Sequence, residues 1–126
     1  RNGVESERIG RVTDSEKIIR NRWPFAHYWP GTIEADLKRY PRISLLKQQM
    51  AAVGFVDIEE QEIKFQYKIT DATPYRDKVY SCLHLISEDE FKIGLQRLET
   101  DLKAGPAQGA SAYACLWGTV PKIYSE

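Results

Sequence analysis

The most constraining feature of this sequence is an apolar run near its end, from Ala112 to Trp117. Side chains of a β-strand alternate between the two faces of its sheet, and both alternating sets of this run are apolar. A strand that is apolar on both faces is typically covered on both and lies inside a sheet. The run therefore predicts that the last strand of the fold is a central strand.

Length and charge limit the classes of protein to consider. With 126 residues the chain is long enough for one domain, 1–126, and too short for two. Its 18 basic and 18 acidic residues cancel, which argues against nucleic acid and membrane as partners. The longest nearly apolar run, Met50 to Val56, is far below the roughly 20 residues of a membrane span. Cys82 and Cys115 lie in apolar stretches, so we expect buried thiols and a cytoplasmic location.

The first residues predict a strand followed by a short helix. The strand is expected from a sparse alternation at Val4, Ile9 and Val12. Thr13 and Glu16 have the Thr-x-x-Glu spacing of a capping box, in which each side chain satisfies a free backbone amide, so a helix is expected to start there. It should end before Trp23 and Pro24, because proline disfavours helical geometry in the residue that precedes it.

Further helices are predicted in two places. Thr32 to Tyr40 is compatible with a helix or turn, and Ile43 to Val53 has the spacing of an amphipathic helix. Pro74 to Ile86 has one apolar stripe at helical spacing. A second capping box at Ser87 opens another helix, which we expect to end at Gly105.

A strand is predicted between these two pairs of helices. Its two parts, 56–59 and 63–69, both alternate, but the apolar phase switches from even to odd positions between them. A bulge or kink near Glu60 and Gln61 would repair this switch. Three strands interspersed with helices make the predicted fold class α/β.

The stretch from Asn21 to Pro30, here called the aromatic segment, is the least ordinary in the sequence. It holds four aromatic residues and one of the two histidines. One interpretation is a substrate pocket with flat apolar walls, in which charged and polar side chains orient the ligand. The candidate substrate-binding residues are Arg22, Trp23, His27, Tyr28, Trp29 and Tyr75. The alternative is that the rings pin a loop to the hydrophobic core and that His27 is simply hydrogen-bonded.

Four short motifs occur in order along the chain: Asp36-Leu-Lys-Arg-Tyr-Pro41, Ala-Ala-Val-Gly-Phe55, Ser87-Glu-Asp-Glu-Phe-x-x-Gly-Leu95 and Tyr113-x-x-x-Trp117. In this order they resemble the C-terminal half of class I S-adenosylmethionine-dependent methyltransferases of the UbiE-like group. The resemblance covers roughly Thr13 to Gly118. It implies a partial Rossmann-like sheet of about three strands, with the last strand antiparallel and central between the family's fifth and sixth strands. It also implies a helical insertion at about residues 71–105 on the substrate side.

The cofactor half of that family has no counterpart in this sequence. In such folds a glycine-rich turn brings the backbone close to the cofactor, and the chain contains no Gly-x-Gly. The resemblance implies S-adenosylmethionine as cofactor of the intact family, and we expect this chain alone not to bind it. Because the chain starts at Arg1 and not at a methionine, we interpret it as a processed or excised segment.

The leading hypothesis of function is the C-terminal, substrate-side part of a small-molecule methyltransferase, without activity of its own. Methyl transfer depends mainly on in-line positioning, so no catalytic residue and no metal ligand is assigned. One alternative is a non-catalytic α/β module that binds a small ligand or a protein. Another is a structural subunit. An open sheet edge predicts a homodimer or pairing with a cofactor domain.

Overall fold

The structure is a computed structural model that describes residues 3–124. The helices form two groups, one between the first and second strands and one between the second and third. The elements are β1 (Gly3–Thr13), α1 (Glu16–Arg20), α2 (Phe25–Tyr28), α3 (Gly31–Arg39), α4 (Ile43–Ala52), β2 (Val56–Ile69), α5 (Thr73–Arg76), a 3-10 turn (Ser81–His84), α6 (Glu88–Ala104) and β3 (Ala107–Tyr124).

The three strands form one antiparallel sheet in the order β1-β3-β2. β3 pairs with both neighbours, so Ala114 lies opposite Thr13 of β1 and Glu62 of β2. Because β1 and β2 are both antiparallel to β3, they run in the same direction. This confirms the α/β class and the prediction that the last strand is central and antiparallel.

Helices pack on one face of the sheet, here called the helical face, and the other face is more open. The helical face carries the side chains of Glu60, Glu62, Lys64, Gln66, Gln108, Ala110, Ala112, Ala114, Leu116 and Gly118. Helix α4 lies over it: Lys47 pairs with Glu60 at 3.0 Å, and a Cβ atom on Gly118 would meet the Met50 and Phe55 side chains. Leu116 in the middle of this face is fully buried.

The opposite, open face is covered mainly by its own rings. The Trp117 ring lies against Gly10 and the Tyr67 ring lies against Gly109, so closely that a Cβ atom on either glycine would overlap the ring. Phe65 on this face remains 53% exposed. Glycine is needed at these two positions because an aromatic ring occupies the space of a side chain.

The irregularity predicted in β2 exists, but its predicted position was wrong. The register shifts between Val56 and Glu59, not near Glu60 and Gln61. Val56 lies opposite Thr119 and Glu59 opposite Trp117, so β2 uses one residue more than β3 over this stretch. Asp57 has φ +51°, the left-handed conformation that such a bulge tolerates. The extra residue accounts for the switch in apolar phase.

The capping predictions hold in part for one helix and fail in detail for the other. Ser87 caps α6 and accepts a hydrogen bond from the Glu90 amide, as predicted, but the Glu90 carboxylate accepts from the Gly31 amide and does not return to Ser87. Helix α1 is capped by Ser15, whose hydroxyl accepts from the Ile18 amide, and not by Thr13. Thr13 is unavailable as a cap because it still belongs to β1, opposite Ala114.

The single helix predicted over Pro74 to Ile86 is also wrong. Helix α5 ends at Arg76. Two residues later, Lys78 adopts the left-handed conformation, with φ +50°. The Lys78 amide donates to Tyr75 O and the Val79 amide to Pro74 O, at 3.1 and 3.0 Å. These are the two hydrogen bonds of a Schellman motif, which terminates a helix. As a result Val79 is 69% exposed and does not continue the apolar stripe.

The helical segment between β2 and β3, the insertion that the resemblance implies, shares one core with the aromatic segment at the end of the sheet. Trp29, Leu83 and Leu98 are fully buried there. They pack with Ile69 and Ala107, the residues at which β2 ends and β3 begins. The insertion is therefore anchored at the carboxyl end of β2.

Candidate functional site

The candidate site lies where β1 stops and the rest of the sheet continues. β1 ends at Thr13, opposite Ala114, whereas β3 begins at Ala107. The aromatic segment takes the place of β1 beside the beginning of β3, because the Ala110 amide donates a 3.1 Å hydrogen bond to the Trp23 carbonyl. The start of the aromatic segment is thereby fixed against the sheet.

A groove of about 380 Å³ opens beside this contact, between α1 and the helical face of the sheet. Its lining consists of Lys17, Ile18, Asn21, Arg22, Trp23, Glu62, Lys64, Gln66, Gln108, Ala110 and Ala112. The alanines form a shallow floor, because their small side chains alternate on one face of β3. The volume is within the ordinary range for small-molecule sites.

Arg22 at the rim of the groove is held by two carboxylates. Its guanidinium lies 2.7 Å from Asp14 and 3.2 Å from Asp36. Asp36 is only 2% exposed and also contacts Arg39 at 2.9 Å. A buried carboxylate needs such partners, since an unpaired charge in the interior is costly. The network fixes Arg22 and joins the turn between β1 and α1, the aromatic segment and α3.

The charge of Asp36 also affects a neighbouring cysteine. Burial, and next the negative charge of Asp36, raise the pKa of the Cys82 thiol to about 11. The thiol therefore stays protonated near neutral pH and is a poor nucleophile. Both Cys82 and Cys115 are free and buried, as expected from the sequence.

Trp23 is the aromatic wall of the groove. Its indole stacks on the His27 ring with the centroids 4.1 Å apart and the planes 20° apart. His27 in turn contacts the Tyr28 ring edge-on at 4.7 Å. His27 is exposed and lies behind Trp23, outside the groove lining. It therefore supports the wall and does not form it.

The other three candidate residues lie in the core. Trp29 is fully buried and donates from its indole nitrogen to Phe91 O at 3.0 Å. Tyr75 is 2% exposed and stacks on Trp29 with the centroids 5.9 Å apart. Burial, and next a hydrogen bond with Tyr67, raise the pKa of Tyr75 far above its ordinary value. These contacts correspond to the alternative in which the rings pin the chain to the core.

Tyr28 also belongs to this core and is only 4% exposed. Its hydroxyl donates a 2.6 Å hydrogen bond to Asp101 of α6. Burial, and next this hydrogen bond, raise the pKa of Tyr28 to about 12. The structure thus brings two of the six sequence candidates, Arg22 and Trp23, into the groove.

Sequence reasoning missed the residues that the sheet contributes to the groove. Lys64, Gln66 and Gln108 are exposed on the helical face, in line with Ala110 and Ala112. The available signal was the pattern of small residues at alternating positions of β3, opposite polar residues of β2. The pattern indicates a groove only when the register of the two strands is known, because the register places these residues side by side.

The groove is a candidate binding site, and its lining contains no histidine or cysteine. His84, the second histidine, is outside it and contacts the Lys78 carbonyl at 2.7 Å. Among residues 3–124 there is no group of three or more His, Cys, Asp and Glu side chains that could hold a metal ion. In the same part of the chain, no helix is long and apolar enough to cross a membrane.

Comparison of the chain with models of protein families, with curated proteins and with solved structures finds no match.

Proposed function

We propose that this chain is the C-terminal, substrate-side part of a small-molecule methyltransferase that uses S-adenosylmethionine. The observation that supports this proposal most is the strand order. A central last strand lies antiparallel between two strands that run in the same direction. This is the arrangement that the resemblance implies for the end of such a fold, with β1 and β2 as the family's fifth and sixth strands.

The exposed edge of β1 is the second line of support. β1 is an edge strand, and its side chains from Ser6 to Val12 are exposed. An unpaired edge of this length is a template for another strand. In the proposed intact enzyme, a strand of the cofactor half pairs with it, so that the donor site and this chain lie in one sheet.

The position of the groove agrees with this assignment. In open α/β sheets, ligands bind outside the carboxyl ends of the strands. The groove begins where β1 has ended, and the insertion packs at the carboxyl end of β2. S-adenosylmethionine supplies the methyl group when it is bound by the other half. The role of this chain is to hold the acceptor, with Trp23 and Arg22 restricting its orientation.

The cytoplasm is the proposed compartment. Cys82 and Cys115 are both free thiols, and a reducing compartment keeps them in this state.

A small-ligand-binding module without transfer activity is the second candidate. The groove supports it equally well, because binding needs only the residues described above. The open outer edge of β1 favours the methyltransferase, since a binding module gains nothing from an 11-residue strand with one edge left open.

The test uses a polypeptide in which this chain is extended by the residues encoded upstream of Arg1. We expect it to form S-adenosylhomocysteine from S-adenosylmethionine with at least one acceptor of a small-molecule panel. Trp23→Ala should raise KM for the acceptor and leave donor affinity unchanged, because Trp23 lines the groove. Trp117→Phe, on the open face, is the control and should change neither. Donor binding without turnover for every acceptor would favour the binding module.

A further inference from the structure

We propose that the groove binds a flat, carboxylate-bearing small molecule and that Lys64 is the ion-pair partner of its carboxylate. The binding itself follows from the groove. That the bound molecule is the methyl acceptor rests on the proposed function.

The charge of the groove favours an anion. Its lining contains three cations, Lys17, Arg22 and Lys64, and one anion, Glu62. Arg22 is neutralised by Asp14 and Asp36, and Lys17 lies 3.9 Å from Glu62. Within residues 3–124, no ion pair or hydrogen bond engages the Lys64 ammonium. One uncompensated positive charge therefore faces the groove, and a carboxylate is its natural partner.

Two amides beside Lys64 complete the polar part of the site. Gln66 follows Lys64 on the same face of β2, and Gln108 is the diagonal neighbour of Gln66 on β3. Neither amide has a hydrogen-bond partner in the described part of the chain. Their NH₂ groups can donate hydrogen bonds to the oxygens of a carboxylate. Because both amides are neutral, they do not change the net charge of the site.

The apolar part of the groove fits a flat molecule. Ala110 and Ala112 give a floor without bulky side chains, and the Trp23 indole stands at one side. Stacking of Trp23 on His27 holds the indole in one orientation. A planar ring can lie on the alanines of β3 with its edge against the indole, and its carboxylate then points across to β2, where Lys64 lies opposite Ala112.

The experiment titrates benzoate into this chain and follows backbone amide shifts by NMR. Benzamide, a neutral molecule of the same shape, is the matched ligand. We expect benzoate to shift the amides of Ala110 and Ala112 with a dissociation constant of about 1 mM, ordinary for so small a ligand. Benzamide and Lys64→Met should each weaken binding by about fivefold, the effect of one charge-assisted contact at an exposed site.

Lys92→Met is the matched control, because it removes the same charge from an exposed position on α6, outside the groove. It should leave benzoate affinity unchanged, and Lys64→Arg should retain most of it. Gln66→Glu should weaken benzoate binding by repulsion and serves as a second test. Equal affinity for benzoate and benzamide, equal losses in both lysine variants, or shifts confined to other residues would overturn the proposal. Benzoate binding without methyl transfer in the extended polypeptide would refute only the proposed function.

Discussion

Arg22 donates a 3.2 Å hydrogen bond to Asp36, a carboxylate that is only 2% exposed. The contact joins the rim of the groove to α3, which follows the aromatic segment. Arg39 approaches the same carboxylate from one helical turn further along. The position of Arg22 therefore depends on a buried charge that lies outside the groove.

Asp36→Asn should destabilise the fold by about 2 to 3 kcal/mol, because it removes the charge that Asp36 shares between Arg22 and Arg39, and Arg22 then keeps only Asp14. Glu34→Gln is the control on the same helix. It removes an exposed pair with Lys38, whose contribution is below about 0.5 kcal/mol. Urea unfolding followed by tryptophan fluorescence measures both. Equal losses in the two variants would show that Asp36 is not a structural charge.

Glu90→Ala tests a contact between the insertion and α3. The Glu90 carboxylate accepts a 2.6 Å hydrogen bond from the Gly31 amide, in the first turn of α3. Its loss should cost about 1 to 2 kcal/mol, as expected for a hydrogen bond to a charged group. Asp89→Ala removes the same charge from the same turn of α6 and should cost about 0.5 kcal/mol. The contact is unimportant if the two unfolding free energies agree.

Gly94→Ala should destabilise the fold although alanine is the better helix former. A Cβ atom at Gly94 would overlap the buried Trp29 indole and approach the Tyr28 carbonyl. Overpacking of this kind costs about 1 to 3 kcal/mol or more, against a gain in helix propensity of about 1 kcal/mol. We expect a net loss in thermal stability. Lys92→Ala, exposed on the same helix, should change stability by less than about 0.5 kcal/mol. A more stable Gly94→Ala variant would contradict the packing described.

Tyr28→Phe tests the effect of alkaline pH. The pKa of Tyr28 is raised from 10.0 to about 12, so the protonated phenol is favoured in the folded state. The stabilisation of the fold by the protonated Tyr28 phenol is fully present below pH about 10 and is lost as the pH rises toward about 12. The wild-type Tm should therefore fall more steeply over this interval than the Tm of Tyr28→Phe. Thr100→Ala, which removes an exposed hydroxyl beside Asp101 and no titratable group, is the control and should keep the wild-type slope. Identical slopes for all three proteins would be the contrary result.

Much of the fold could be predicted from local patterns. The central position of β3 follows from its apolar residues on both faces, and the start of α6 follows from Ser87. The error over Pro74 to Ile86 arose because spacing alone does not reveal a helix end. Lys78 adopts the left-handed conformation there although it is not glycine, and it is fixed by Glu88 at 2.9 Å and the Phe91 ring at 4.4 Å. Such tertiary contacts override local preference.

The candidate site was less predictable than the fold. The sequence shows that aromatic residues cluster between Asn21 and Pro30, but not which rings turn inward. Trp29 is buried because Gly94 leaves room for its indole, and this depends on the packing of α6. Lys64 and Ala112 are far apart in sequence and become neighbours only through the register of β2 and β3.

The central claim is that this chain forms the substrate side of a methyltransferase sheet and lacks the donor site. Isothermal titration calorimetry of S-adenosylmethionine tests it most directly, with this chain and with the polypeptide extended upstream of Arg1 by roughly one domain length. We predict no detectable heat for the chain alone and micromolar binding for the extended polypeptide. Micromolar binding by the chain alone, or no binding by the extended polypeptide, would contradict the claim.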